Sequence, residues 1–164
     1  MNMTLESLTT QLEQNLSRQI TWIAAADAKT SFVFGFATAM LGLLAAAAPT
    51  YGKWTVAGVA WSIGAAALLL CSLGNLALAV IPRTVGPKLS NIFFGGISTR
   101  SIDSFRVDLI SLDHEGYLED LIQQVHINAQ IAAAKFTWVK RATIFLFLSL
   151  GPWVVATYFL FRDK

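Results

Sequence analysis

Charge is scarce in this sequence. Only 13% of its 164 residues are Asp, Glu, Lys or Arg and 55% are apolar, against roughly 25% and 45–50% in an average soluble domain. The composition argues against a freely soluble globular domain. Cysteine is nearly absent: Cys71 stands alone, so neither an intrachain disulfide nor a thiolate metal cluster can form. The two histidines, His114 and His126, have no acidic partner at the spacing that brings metal ligands onto one helix face. No glycine-rich loop ends in Lys-Ser or Lys-Thr, and there is no nucleophile elbow. The chain is therefore read as a non-enzyme without catalytic residues, metal or cofactor. Nor is there an excess of one sign of charge. Twelve basic side chains against 10 acidic ones give +2, too balanced for a protein whose task is to neutralise a nucleic acid polymer.

What the sequence has instead is long uncharged runs. Residues 30–48 are 19 positions without a charge, and a bilayer core takes about 20 apolar residues in a helix. Pro49, Tyr51, Gly52 and Lys53 then form a turn, and the uncharged run from Trp54 to Ile81 returns across the membrane before Pro82 and Arg83. These segments predict a transmembrane hairpin, 30–81, with spans at 30–48 and 55–81. A third span follows at 142–161, closed by an outer tail at 162–164. The first apolar run does not sit close behind a basic amino terminus, so no cleaved signal is expected. Arg18 and Lys29 precede the first span and seven more cations lie between the second and third, whereas Lys53, Arg162 and Lys164 lie on the opposite side. Positive residues stay cytoplasmic. The amino terminus and central segment are thus expected in the cytosol, and in a bacterial host the protein would be a multi-pass protein of the inner membrane.

The segment 1–29 places Leu5, Leu8, Leu12, Leu16, Ile20 and Ile23 three and four apart, one apolar stripe on a helix. No breaker separates it from the first span, so one continuous helix from about Thr4 to Ala48 is predicted. Leu118, Leu121, Ile122, Val125, Ala129, Ala132 and Phe136 repeat the pattern and run into span three. The segment 82–141 therefore holds a loop module and a second amphipathic helix, parallel to the first. Two prolines and four glycines mark the loop between Pro82 and Gly116. Ser101 or Asp103 caps a short helix through Leu112, and Asp113 caps the second long helix. Asp113, Glu115, Glu119 and Asp120 read as capping and helix-dipole charge. The fold class is an all-α membrane protein with three transmembrane helices, two of them extended into the cytosol.

Candidate functional residues fall into three groups. In the loop, Lys88, Asn91, Phe93, Phe94, Arg100 and Arg106 interleave cations, an amide and aromatic rings around Gly95 and Gly96. Such groups suit a small anionic aromatic ligand: a cation neutralises a phosphate, Asn reads a base edge and Phe stacks on it. They suit equally a structural plug, with the cations held by anionic lipid headgroups at about 1 kcal/mol each. At the membrane boundary, Asp27 and Lys29 fall level with Lys135 and Arg141 and read as ion pairs between the two long helices. Within the spans, Gly42 and Gly58 belong to stripes of small residues that let helices approach closely. Asn75 needs another helix or a water-lined pore as its partner, and Pro152 removes a backbone donor and offers a hinge. The expected partners are the lipid bilayer and further copies of the chain.

Three stretches together resemble the transmembrane effectors of Pycsar, the pyrimidine cyclase system for antiphage resistance: ITWIAAADAKTSFVFGFATAMLGLL at 20–44, SNIFFGGIS at 90–98 and AAAKFTWVKRATIF at 132–145. The resemblance runs in order from about residue 15 to 160. It implies a partner pyrimidine nucleotide cyclase that makes cyclic UMP or cyclic CMP on infection. It further implies a homo-oligomeric effector that binds this messenger, forms a pore or otherwise disrupts the inner membrane, and so causes abortive infection. It assigns no binding residues; the 82–116 module is the expected place. A constitutive membrane scaffold or adaptor, and a membrane effector gated by another cyclic oligonucleotide, are the alternative readings.

Overall fold

The structure, a computed structural model, describes residues 4–50, 53–82, 86–87 and 89–162. Arg83, the hairpin tip at Tyr51 and Gly52, and Asp163 and Lys164 of the expected outer tail lie outside the described residues. The described residues form five helices: α1 (Leu5–Ala47), α2 (Val56–Val80), α3 (Phe94–Ser98), α4 (Ile102–Ser111) and α5 (His114–Arg162). The described residues contain no strand. Helices α1, α2 and α5 are long and apolar enough to cross a membrane.

Local chemistry explains where the helices start. Thr55 precedes α2 in an extended conformation and its hydroxyl accepts the Gly58 N–H; Ser101 does the same for Ser104 ahead of α4. Each satisfies an amide that the first helical turn leaves without a partner. Asp103, the other candidate cap, instead lies inside the first turn of α4. At the start of α5 the Asp113 carboxylate accepts the Gly116 N–H at 2.8 Å. The five-residue α3 has no signature in the sequence, because its two glycines and one Phe carry no helical periodicity.

The chain divides into two compact units. One comprises residues 26–81 and 135–164. Its core takes Val33, Ala37, Met40, Leu44 and Ala47 from α1, at alternating spacings of four and three, with Ala65, Leu69 and Leu76 from α2 and Ala142, Leu146, Ala156 and Leu160 from α5. Five of these twelve are alanine, and small side chains let bilayer helices associate through close van der Waals contact. Within the apolar segments the Ser72 hydroxyl donates across to the Ala142 carbonyl at 2.8 Å, and the Trp153 indole N–H to the Met40 carbonyl at 3.0 Å. Phe32, Phe34, Phe36, Leu70, Phe147 and Leu148 point outward, and apolar side chains all round a helix mark a surface that lipid covers.

The other unit comprises residues 1–25 and 82–134. Here α1 and α5 run parallel: Thr9 Oγ1 lies 3.2 Å from His114 Nε2, and one turn further on the Tyr117 hydroxyl donates to Glu13 at 2.9 Å. Leu121 and Gln124 are buried, and Leu8, Leu12, Leu16 and Ile23 are half-buried. Leu5 and Ile20, the remaining members of the expected stripe, are about half exposed. The stripe is therefore only partly covered within one chain.

Burial raises the Tyr117 pKa above its usual 10, helped by the hydrogen bond to Glu13 and by the Glu13 and Asp120 charges. The folded chain thus holds this proton more tightly than the unfolded one. The resulting stabilisation is complete below pH 10 and is lost as pH climbs through the higher folded value. The melting temperature should therefore fall more steeply above pH 10 in the natural protein than in Tyr117→Phe. Parallel curves would assign the alkaline loss to other groups.

Candidate functional site

The loop module is organised by two polar side chains. Ser90 is buried, and its Oγ accepts the N–H groups of Ile92 at 3.1 Å and Phe93 at 2.8 Å and the Gln124 side-chain amide at 3.2 Å. A short hydroxyl side chain that accepts amides two and three residues ahead fixes a tight turn. Arg100 holds the other side. Its Nε donates to the Gly96 carbonyl at 3.0 Å, Nη1 to Asn91 Oδ1 at 2.9 Å and Asp108 Oδ2 at 3.0 Å, and Nη2 to the Ser90 carbonyl at 2.6 Å. Its side chain is only 10% exposed and its guanidinium lies 5.2 Å from the Phe105 ring centroid. A guanidinium has five N–H donors in a fixed fork, so Arg100 is a brace with four protein hydrogen bonds and little left for a ligand phosphate.

The loop is moored to α5 as well. Asp120 Oδ2 accepts the Asn91 N–H at 2.7 Å, while its Oδ1 is shielded from solvent without a partner among the described residues. Beside this contact lies a cavity of about 440 Å³, lined by Leu89, Asn91, Leu112, Glu119, Asp120 and Gln123 together with Pro87, Ser90 and Gly116. That volume is in the range of small-molecule sites, about 300–1,000 Å³.

Of the loop residues expected to meet a nucleotide, Asn91 lines this cavity, and Phe93, Phe94, Arg100 and Arg106 do not. Phe93 packs its ring over the backbone at Gly86 and Gly95. Phe94, against Phe93 at 4.8 Å between centroids, is 65% exposed. Arg106 is exposed on α4 and lies 3.5 Å from Asp103 one turn away. Lys88 lies outside the described residues. Asp120, read from the sequence as dipole charge, and Gln124 are the residues that spacing alone missed. Their signal is position: both fall beside Leu121 on the inward face of α5, where an unpaired polar side chain is costly.

At the membrane boundary Asp27 pairs with Lys135. Lys29 lies 5.2 Å from the centroid of Phe136, and Arg141 4.8 Å from that of Trp138. The reason is stoichiometric: Asp27 is the only carboxylate between Glu13 and Asp103, so neighbouring cations settle on ring faces. Within the spans, a Cβ added at Gly42 would meet nothing within 4 Å. Gly58 is buried beside its cap, and Pro152 lies inside α5. The Asn75 amide donates back to the Cys71 carbonyl of its own helix at 2.8 Å. This bond satisfies one donor without help from another helix.

Comparison with known proteins places this arrangement. The Pycsar effector protein domain (PycTM) matches residues 11–162. The chain belongs to the Pycsar effector family. A relative from Gulbenkiania mobilis, the Pycsar effector protein GmPycTM, is 28% identical over 82 residues, which cover 50% of this chain and 42% of that protein. The match thus spans less than half of the curated relative's length. No solved structure matches the chain. Its three apolar helices make it a multi-pass protein of the inner membrane.

Proposed function

We propose that this Pycsar effector binds cyclic UMP or cyclic CMP in the loop module and, as a homo-oligomer, then compromises the inner membrane, so that the infected cell dies or stops growing before phage spreads. The observation that carries this reading is the family match over residues 11–162, joined to a cavity whose largely apolar wall carries Asn91, Glu119, Asp120 and Gln123, in a segment rich in Lys and Arg. The positive-inside rule puts that segment and the amino terminus in the cytosol, where a cyclase product accumulates. Self-association is supported by apolar surface that one chain leaves uncovered: α4 buries none of its residues, with Ile102, Val107 and Ile110 all more than 60% exposed. The messenger acts by binding the membrane-active arrangement more tightly than the resting one, since equal affinity for both would shift nothing. Helix α5 continues without a break from the end of the loop module into spanning residues, and α1 does so from the amino-terminal segment, which gives the shift a physical carrier.

The test is titration of cyclic UMP, cyclic CMP, cyclic AMP and cyclic GMP into detergent-solubilised protein by calorimetry, followed by dye release from proteoliposomes. The expected result is micromolar or tighter binding of one pyrimidine nucleotide and release that depends on it. Folded protein that binds none of the four overturns the proposal and favours a scaffold, or a gate for another cyclic oligonucleotide.

A further inference from the structure

The wall of the 440 Å³ cavity carries a polar pair whose protein contacts are incomplete in complementary ways. Asp120 satisfies one oxygen with the Asn91 N–H and leaves Oδ1 shielded and unpartnered. Asn91 is the converse. Its Oδ1 accepts from Arg100, which fixes which end of the amide faces the guanidinium, and its Nδ2 donates to nothing among the described residues. The brace and the mooring thus hold an unused acceptor and an unused donor on adjacent side chains.

We infer that Asp120 and Asn91 read the base edge of the bound nucleotide, a small rotation of the Asp120 carboxylate bringing the shielded Oδ1 to the cavity to accept a base N–H while Asn91 Nδ2 donates to the neighbouring base acceptor. The inference rests on the proposed cyclic pyrimidine ligand and adds the residues that recognise it and the direction in which it binds. Uracil offers N3–H between two carbonyl oxygens, and cytosine offers its N4 amino group beside N3, so each presents a donor next to an acceptor. A carboxylate is acceptor-only and takes a base amino or imino proton without competition from its own. The same wall sets orientation. Glu119 and Asp120 repel a phosphate, whereas Leu89 and Leu112 supply apolar surface for a ring. The base therefore enters and the cyclic phosphate stays toward solvent.

Binding of both pyrimidine nucleotides to full-length, detergent-solubilised protein tests this, with Asp120→Asn as the first variant. That substitution keeps an oxygen for the Asn91 N–H and replaces the second acceptor by a donor. Affinity for the recognised nucleotide is expected to fall roughly 10- to 100-fold, the discrimination typical of one well-made base contact. The second arm leaves the protein untouched and uses the recognised nucleotide with its base donor methylated, at N3 of cyclic UMP or doubly at N4 of cyclic CMP. A loss of similar size is expected, and this arm decides the matter where Asp120→Asn is misfolded. Binding of the parent nucleotide by Asp120→Asn and of the methylated nucleotide by the natural protein, each within about threefold of the unaltered pair, overturns the base-reading pair and leaves the ligand assignment standing. Natural protein that binds neither nucleotide overturns the ligand assignment, and the pair with it.

Discussion

Arg100→Ala is expected to loosen the whole segment from Ser90 to Asp108, at a cost of about 3 kcal/mol. The side chain is 10% exposed and ties together four partners: the Ser90 and Gly96 carbonyls, Asn91 Oδ1 and Asp108 Oδ2. Its removal strands the Ser90 carbonyl, an amide oxygen and a carboxylate, while the Gly96 carbonyl keeps the Thr99 hydroxyl at 3.2 Å; Asp108, 45% exposed, recovers part of its hydration, which keeps the cost below that of a fully buried pair. Arg100→Lys should restore little, because one ammonium cannot span the positions that the planar fork reaches. Amide hydrogen exchange in detergent is the direct measurement. Protection from Ser90 to Arg100 should collapse in Arg100→Ala while the amides of α2 keep theirs. Arg106→Ala, which removes an exposed pair within one helix, should change stability by less than about 0.5 kcal/mol. Unchanged exchange in Arg100→Ala combined with lost nucleotide binding would instead make Arg100 a direct phosphate ligand.

Gly96→Ala should be nearly as damaging, for a steric reason. A Cβ at Gly96 would lie 2.8 Å from the Ser90 carbonyl oxygen, 3.1 Å from that of Pro87 and 3.2 Å from the Ser90 nitrogen. All three are backbone atoms, so no side-chain rotation relieves the overlap and the Ser90 turn must move. Overpacking of this kind costs about 1–3 kcal/mol. Because the same movement carries Asn91 away from Asp120, Gly96→Ala should also weaken nucleotide binding. Gly42→Ala is the matched control: its Cβ meets nothing, and alanine is intrinsically better than glycine inside a helix by about 1 kcal/mol. Thermal unfolding of the two variants in one detergent should separate them by several degrees, with Gly42→Ala at or above the natural protein. Equal melting temperatures would show that the 86–96 turn yields at no cost.

Much of the architecture is legible because bilayer insertion and helix formation are read from local sequence. Uncharged runs of 19 residues or more have few alternatives to a spanning helix, and apolar residues three and four apart put a stripe on a helix whatever it meets. So α1 was expected from about Thr4 to Ala48 and runs Leu5–Ala47; α5 begins directly after the expected cap at Asp113. The site was less legible. Asn91, Phe93, Phe94, Arg100 and Arg106 form a plausible ligand set by residue type, yet type does not reveal whether a donor is already in use. Four of the five Arg100 donors are, and the Phe93 ring lies on loop backbone.

By itself the sequence determined the fold class, the three helices long and apolar enough to cross a membrane and the family, since each depends on composition, on periodicity along one chain or on order of motifs. Only the tertiary structure decided how the polar side chains are used. Ser90, Arg100, Asp108 and Asp120 are up to 30 positions apart, and a hydrogen bond is made or lost over a few tenths of an ångström. A spacing rule cannot resolve such a distance between an irregular loop and a helix that follows it. The acidic run at the start of α5 shows the division most clearly: from sequence its members are equivalent capping charges, but in the fold Asp113 caps the helix and Asp120 holds Asn91 against the cavity wall.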